Sequence, residues 1–146
     1  MVKDGFKWVS LRLVREKSVE YLSSVCTPEE AADILKPMLE DCDREKFIVL
    51  MLDTKNHAIA ANTVSVGTVN SLLVHPREIY KAALLCNASA VILAHNHPSG
   101  DPTPSPEDIE ITNRLNKAGE ILGIEILDHI IIGDRTWISL KEKGLI

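Results

Sequence analysis

Residues 90–95, Ala-Val-Ile-Leu-Ala-His, constrain the fold more than any other stretch of the chain. A short unbroken run of Ala, Val, Ile and Leu bounded by polar residues marks a strand buried on both faces, and such a strand needs a sheet that is covered on both sides. The chain has 146 residues, a length that fits one domain with one core. Hydrophobic residues make up 45% and charged residues 25%, the balance of an ordinary globular protein. The apolar runs are much shorter than the ~20 residues that cross a bilayer, so no membrane segment is expected. The opening Met-Val-Lys-Asp-Gly-Phe-Lys-Trp lacks a secretory signal, which makes a cytoplasmic location the expectation. Cys26, Cys42 and Cys86 form no CxxC pair and suggest neither a disulfide framework nor a thiolate metal cluster; they are expected to be reduced and mostly buried. The net charge of −5 argues against a large phosphate-neutralising surface, so nucleic acid is not an expected partner.

Either side of the buried run, residues alternate between strand and helix signals. Phe6, Trp8, Leu11 and Leu13 alternate with polar residues, which predicts a half-buried strand over residues 6–14 with one slip of register. Thr27-Pro28-Glu29-Glu30 predicts a helix from Pro28, kinked or ended by Pro37. Residues 46–52 and 58–66 read as a hairpin around a polar turn, and a helix follows Val74-His75-Pro76-Arg77-Glu78, with Ile79, Ala82, Ala83 and Cys86 on one face. A long amphipathic helix spans residues 106–122 and stops at Gly123; strands are predicted at 124–132 and 136–140. Hairpins recurring among helices predict an α/β fold with a mixed sheet and helices packed on it. Trp8 and Trp137 are expected in the core or at a sheet edge, His75 bonded to local backbone, and His129 as a satisfied core residue.

The chemistry lies just after the buried strand. His95 and His97 are separated by one residue in an extended segment, so both imidazoles project to the same side and can reach one ion. Asp108 falls in the first turn of the next helix, and the proline-rich loop between them can fold that turn back toward the pair. Two imidazoles, one carboxylate and an open position for water make the ligand set of a catalytic rather than a structural zinc. Ser105 has two compatible readings. Ser105-Pro106-Glu107-Asp108 is a good helix start with a capping hydroxyl. The same hydroxyl, three residues before a metal ligand, could donate to the oxyanion of a tetrahedral intermediate.

His95, His97, Ser105 and Asp108 match the spacing of the JAMM (MPN-type) metalloprotease motif. More narrowly, Val74-His75-Pro76-Arg77-Glu78, Ala94-His95-Asn96-His97-Pro98-Ser99-Gly100 and Leu127-Asp128-His129-Ile130-Ile131-Ile132-Gly133 resemble blocks of the bacterial RadC family. The resemblance covers roughly residue 46 to the carboxyl terminus. It implies a three-layer, cytidine-deaminase-like domain over residues 46–146; the strand and helix read in residues 1–45 are expected to pack on the same core. It also implies one zinc per chain and hydrolysis of a peptide or isopeptide bond by zinc-activated water, with a protein or peptide as substrate. A general-base glutamate is implied just before the Val-Ser-x-Gly stretch, and the matching position here is Asn62. An amide cannot take a proton from water near neutral pH, which would cost roughly 10²- to 10⁴-fold in rate. That leaves a zinc-binding pseudoenzyme or interaction module, a substitute carboxylate such as Glu78, and an altered residue as alternatives. The family's traditional name suggests a DNA-repair accessory role, for which the acidic chain offers little physical support.

Overall fold

The computed structural model describes residues 5–20, 24–67 and 74–146. Among them five strands form one sheet, β1 (Lys46–Leu52), β2 (Ala58–Val66), β3 (Ala90–Asn96), β4 (Glu125–Ile132) and β5 (Trp137–Ser139), in the order β2-β1-β3-β4-β5. Three helices join them: α1 (Pro28–Leu39), α2 (Pro76–Leu85) and α3 (Pro106–Leu122). The sheet is mixed. Only β3 and β4 run parallel, because α3 carries the chain back across the sheet between them.

Alternation along the central strands produces two cores. Ile48, Leu50 and Leu52 of β1 and Ile92 and Ala94 of β3 face Leu35 and Leu39 of α1. Phe47, Val49, Met51, Val91 and Leu93 face the other way, onto Ile79 and Ala83 of α2 and Ile111 and Leu115 of α3. Every residue of β3 is buried, as its composition predicts. The result is the expected α/β fold, a mixed sheet between helices.

The helix boundaries follow the sequence closely. Thr27 and Glu30 form a reciprocal capping box at α1, and the helix ends two residues after Pro37. Gly123 ends α3 in the left-handed region at φ 71°. Two expectations need correction. Residues 5–20 have no regular secondary structure, and Phe6 and Trp8 are 90% and 93% exposed, so the strand at 6–14 is not formed and Trp8 is in no core. A period-two pattern states which face a strand would bury, but a strand also needs a neighbour to pair with. Nor are the cysteines buried: all three are free, Cys26 exposed, Cys42 and Cys86 half-buried.

One irregularity positions the site. Val91 pairs with Ile126 but Ile92 pairs with Asp128, so Leu127 is an extra residue on β4. Such a bulge turns every later side chain to the opposite face. His129 consequently stands opposite Leu93, on the α3 side of the sheet, while the Asp128 carboxylate accepts from Ser139 Oγ and from the backbone N–H of His129 and Lys141.

Candidate metal centre

His95 lies at the carboxyl end of β3, where its ring stacks on Phe47 of β1 at 5.8 Å. Period two sends Asn96 to the opposite face, where its amide accepts from Lys46 N–H and donates to the Arg44 carbonyl. His97 is then back on the face of His95. Asp108 is the third residue of α3; Ser105 Oγ accepts from its N–H at 3.1 Å, and its carboxylate accepts from Ser105 N–H at 2.9 Å. Capping therefore fixes the carboxylate as well as the helix start.

The loop between the two is held down by glycines. Gly100 takes φ +89°, its carbonyl accepts from Asp134 N–H at 2.8 Å, and a Cβ on Gly133 would stand 2.4 Å from that carbonyl oxygen. His97 N–H donates to the Ile132 carbonyl. The turn after β4 thus seats the loop whose Asp101 carbonyl lies 2.9 Å from His97 Nδ1.

Two imidazole nitrogens and one carboxylate converge. His95 Nε2 is 3.1 Å from His97 Nε2 and 3.2 Å from Asp108 Oδ1, and His97 Nε2 is 3.2 Å from Asp108 Oδ2. Donors about 2.0–2.1 Å from a tetrahedral zinc stand roughly 3.3–3.4 Å apart, which the spacing of the two nitrogens approaches, with one carboxylate oxygen at 3.2 Å from each of them. The donor chemistry fits too. The Asp101 carbonyl can only accept, so neutral His97 carries its one proton on Nδ1 and turns a bare Nε2 toward the cluster. Burial opposes the charge on Asp108, but the hydrogen bonds that His95 and His97 donate whenever their rings carry a proton on Nε2 outweigh it and hold the carboxyl well below the usual range. The Asp108 hydrogen bond raises His97 above its ordinary value, against burial. His95, His97 and Asp108 form a group that could hold a metal ion.

Two neighbours were not singled out from sequence for this site. His129, fully buried, has Nε2 at 2.8 Å from His95 Nδ1; burial pushes its pKa well below the ordinary histidine value. Glu45 precedes β1, and its carbonyl accepts from Gly67 N–H. It stands two residues before Phe47, the partner of His95, so period two returns it toward the face that Phe47 shares with His95. Its negative charge is among the influences that raise His97. The β1/β3 register is tertiary, so the only signal in the sequence is an acid just ahead of an apolar strand. Asn62, by contrast, is exposed on the edge strand β2 opposite Val49, and Glu78 is engaged with Lys81 at 2.8 Å. His75 accepts from Arg77 N–H as the cap of α2, a local role as expected.

A family model described as a RadC-like JAB domain matches residues 25–145. The chain belongs to the RadC family. RadC-like JAB domains are related to metal-dependent hydrolases, and the match begins ahead of α1. This RadC domain is 57% identical over 119 residues to a UPF0758 protein of Desulforamulus reducens, covering 82% of the chain and 52% of the relative. It is 57% identical over 126 residues to one of Desulforudis audaxviator, covering 86% and 55%, and 49% identical over 122 residues to one of Methanosarcina acetivorans, covering 84% and 53%. The chain spans about half the length of the curated relatives it matches. Among the described residues no helix is long and apolar enough to cross a membrane.

Proposed function

We propose that this domain is a zinc-dependent hydrolase acting on a peptide-like amide bond in a protein or peptide, with His95, His97 and Asp108 holding one zinc. The observation that carries this reading is the convergence of two imidazole nitrogens and a carboxylate at spacings that suit a tetrahedral ion. Zinc in such a set lowers the pKa of water and polarises a carbonyl. Glu45 is the general base: it takes the proton of the attacking water and passes it to the leaving amine. Ser105 accepts from Asp108 N–H, which leaves its hydroxyl proton free to donate to the developing oxyanion.

Elemental analysis and peptide and isopeptide hydrolysis, read on the same samples, test this. The parent protein carries one zinc and His97→Ala loses it. Glu45→Gln keeps the zinc and loses roughly 10²- to 10⁴-fold in rate. Ser105→Ala keeps it too, losing about 1 kcal/mol of helix capping and roughly 10²- to 10³-fold in kcat. Absence of zinc from the parent would overturn the site. The second reading, a zinc-binding module without catalysis, rests on the amide at Asn62; it gains if zinc-loaded parent protein cleaves nothing and Asn62→Glu cleaves.

A further inference from the structure

His129 supplies no atom to the ligand cluster, yet it is fully buried directly behind one of the ligands. Its other ring nitrogen, Nδ1, lies 2.6 Å from Thr112 Oγ1, and that hydroxyl lies 2.7 Å from the backbone carbonyl of Asp108, one turn earlier in α3. Thr112 is itself wholly buried. The polarity of this chain follows from its last member. A carbonyl oxygen only accepts, so the single Thr112 proton is committed to Asp108, and Oγ1 must accept from His129 Nδ1–H. His129 then has a bare Nε2, which must accept from His95 Nδ1–H at 2.8 Å. His95 Nε2 is consequently left without a proton, facing His97 and Asp108.

The reverse polarity would have the opposite outcome. Thr112 donating to His129 would put a proton on His129 Nε2, force His95 to accept at Nδ1, and place His95 Nε2–H inside the ligand cluster. A metal cannot share that nitrogen with a proton.

We propose that Thr112 and His129 are positioning residues that lock His95 in its Nδ1–H tautomer and so present a bare Nε2 to the metal. The relay begins at one proposed ligand and ends on the backbone of another, joining β3, β4 and α3 around the site. Ligand histidines are commonly held by a partner on the other ring nitrogen. Here the partner is a second histidine, which can itself hold either tautomer, and the Thr112 hydroxyl removes that ambiguity.

This inference rests on the metal-site reading, and two measurements separate them. The first is the ¹⁵N–¹H correlation spectrum of the imidazoles in the metal-free protein above neutral pH. His95 is protonated at Nδ1 and bare at Nε2 in the parent and in Thr112→Ser, whereas Thr112→Val, which keeps the shape and removes the hydroxyl, populates Nε2–H. The second is zinc affinity by chelator competition. It falls about 10- to 100-fold in Thr112→Val and in His129→Phe, and Thr112→Ser restores the parent value. A parent protein with His95 protonated at Nε2 overturns the relay, as does Thr112→Val with tautomer and affinity unchanged. A parent that binds no zinc overturns the metal site instead, and the tautomer of His95 still decides the relay.

Discussion

At the scale of single residues, His97 links two opposing pH dependences. Its hydrogen bond to Asp108 raises its folded-state pKa above the ordinary 6.5. A group raised in the folded state contributes stability below its unfolded pKa, and the contribution is lost as pH rises through the folded value. The metal-free protein therefore loses stability from the His97–Asp108 pair as pH rises past the ordinary histidine value and through the raised folded one. A metal ion at His97 would need the deprotonated imidazole and would be held more tightly as that proton leaves. Asp108 has the other sign: its stabilisation is present above about 3.8 and fades only as pH falls through its lowered folded value. Thermal melts of metal-free protein show this loss as pH is raised from below the ordinary histidine value, and Asp108→Asn removes it; an unchanged slope in Asp108→Asn would assign the effect to another group.

At the scale of elements, α3 contributes most to the candidate site, since Ser105 caps it and Asp108 and Thr112 lie in its first turns. Its middle is held by Tyr80, whose hydroxyl donates to the Leu115 carbonyl at 2.7 Å. A Cβ on Gly119 would stand 2.5 Å from that hydroxyl and 2.4 Å from the Ile124 carbonyl. Gly119→Ala therefore costs about 1–3 kcal/mol despite its better helix propensity. Thermal melting reads the loss, and a melting temperature at or above the parent's would mean that α3 can shift to make room. Both ends of α3 were legible in the sequence, because caps and breakers are local. So were β3 and the pair His95 and His97, where composition and period two suffice. The bulge at Leu127 was not: it depends on how β4 lies along β3, and it is what turns His129 toward His95. Glu45 was hidden for the same reason, its relation to His97 being set by the β1/β3 register. Residues 6–14 show the converse, a clear local pattern with no neighbour to realise it.

At the scale of the whole molecule, the ligand set exists only in the fold, because β3, α3 and the loop between them must dock before the donors meet. A metal that binds the folded state alone stabilises it by mass action, about 2.7 kcal/mol at a hundredfold excess over Kd. Zinc accordingly raises the melting temperature of the parent and not of His97→Ala; an equal rise in both would point to adventitious binding elsewhere. The clasp between Gly100 and Gly133 extends this to the making of the protein. On the ribosome both histidines and Asp108 emerge well before β4 and the turn that follows it. Until Ile132, Gly133 and Asp134 leave the exit tunnel, nothing seats the loop that orients His97, and until His129 does, nothing stands behind His95. The nascent chain thus carries all three candidate ligand residues for some time without a site, and metal loading there waits on β4 and the turn after it.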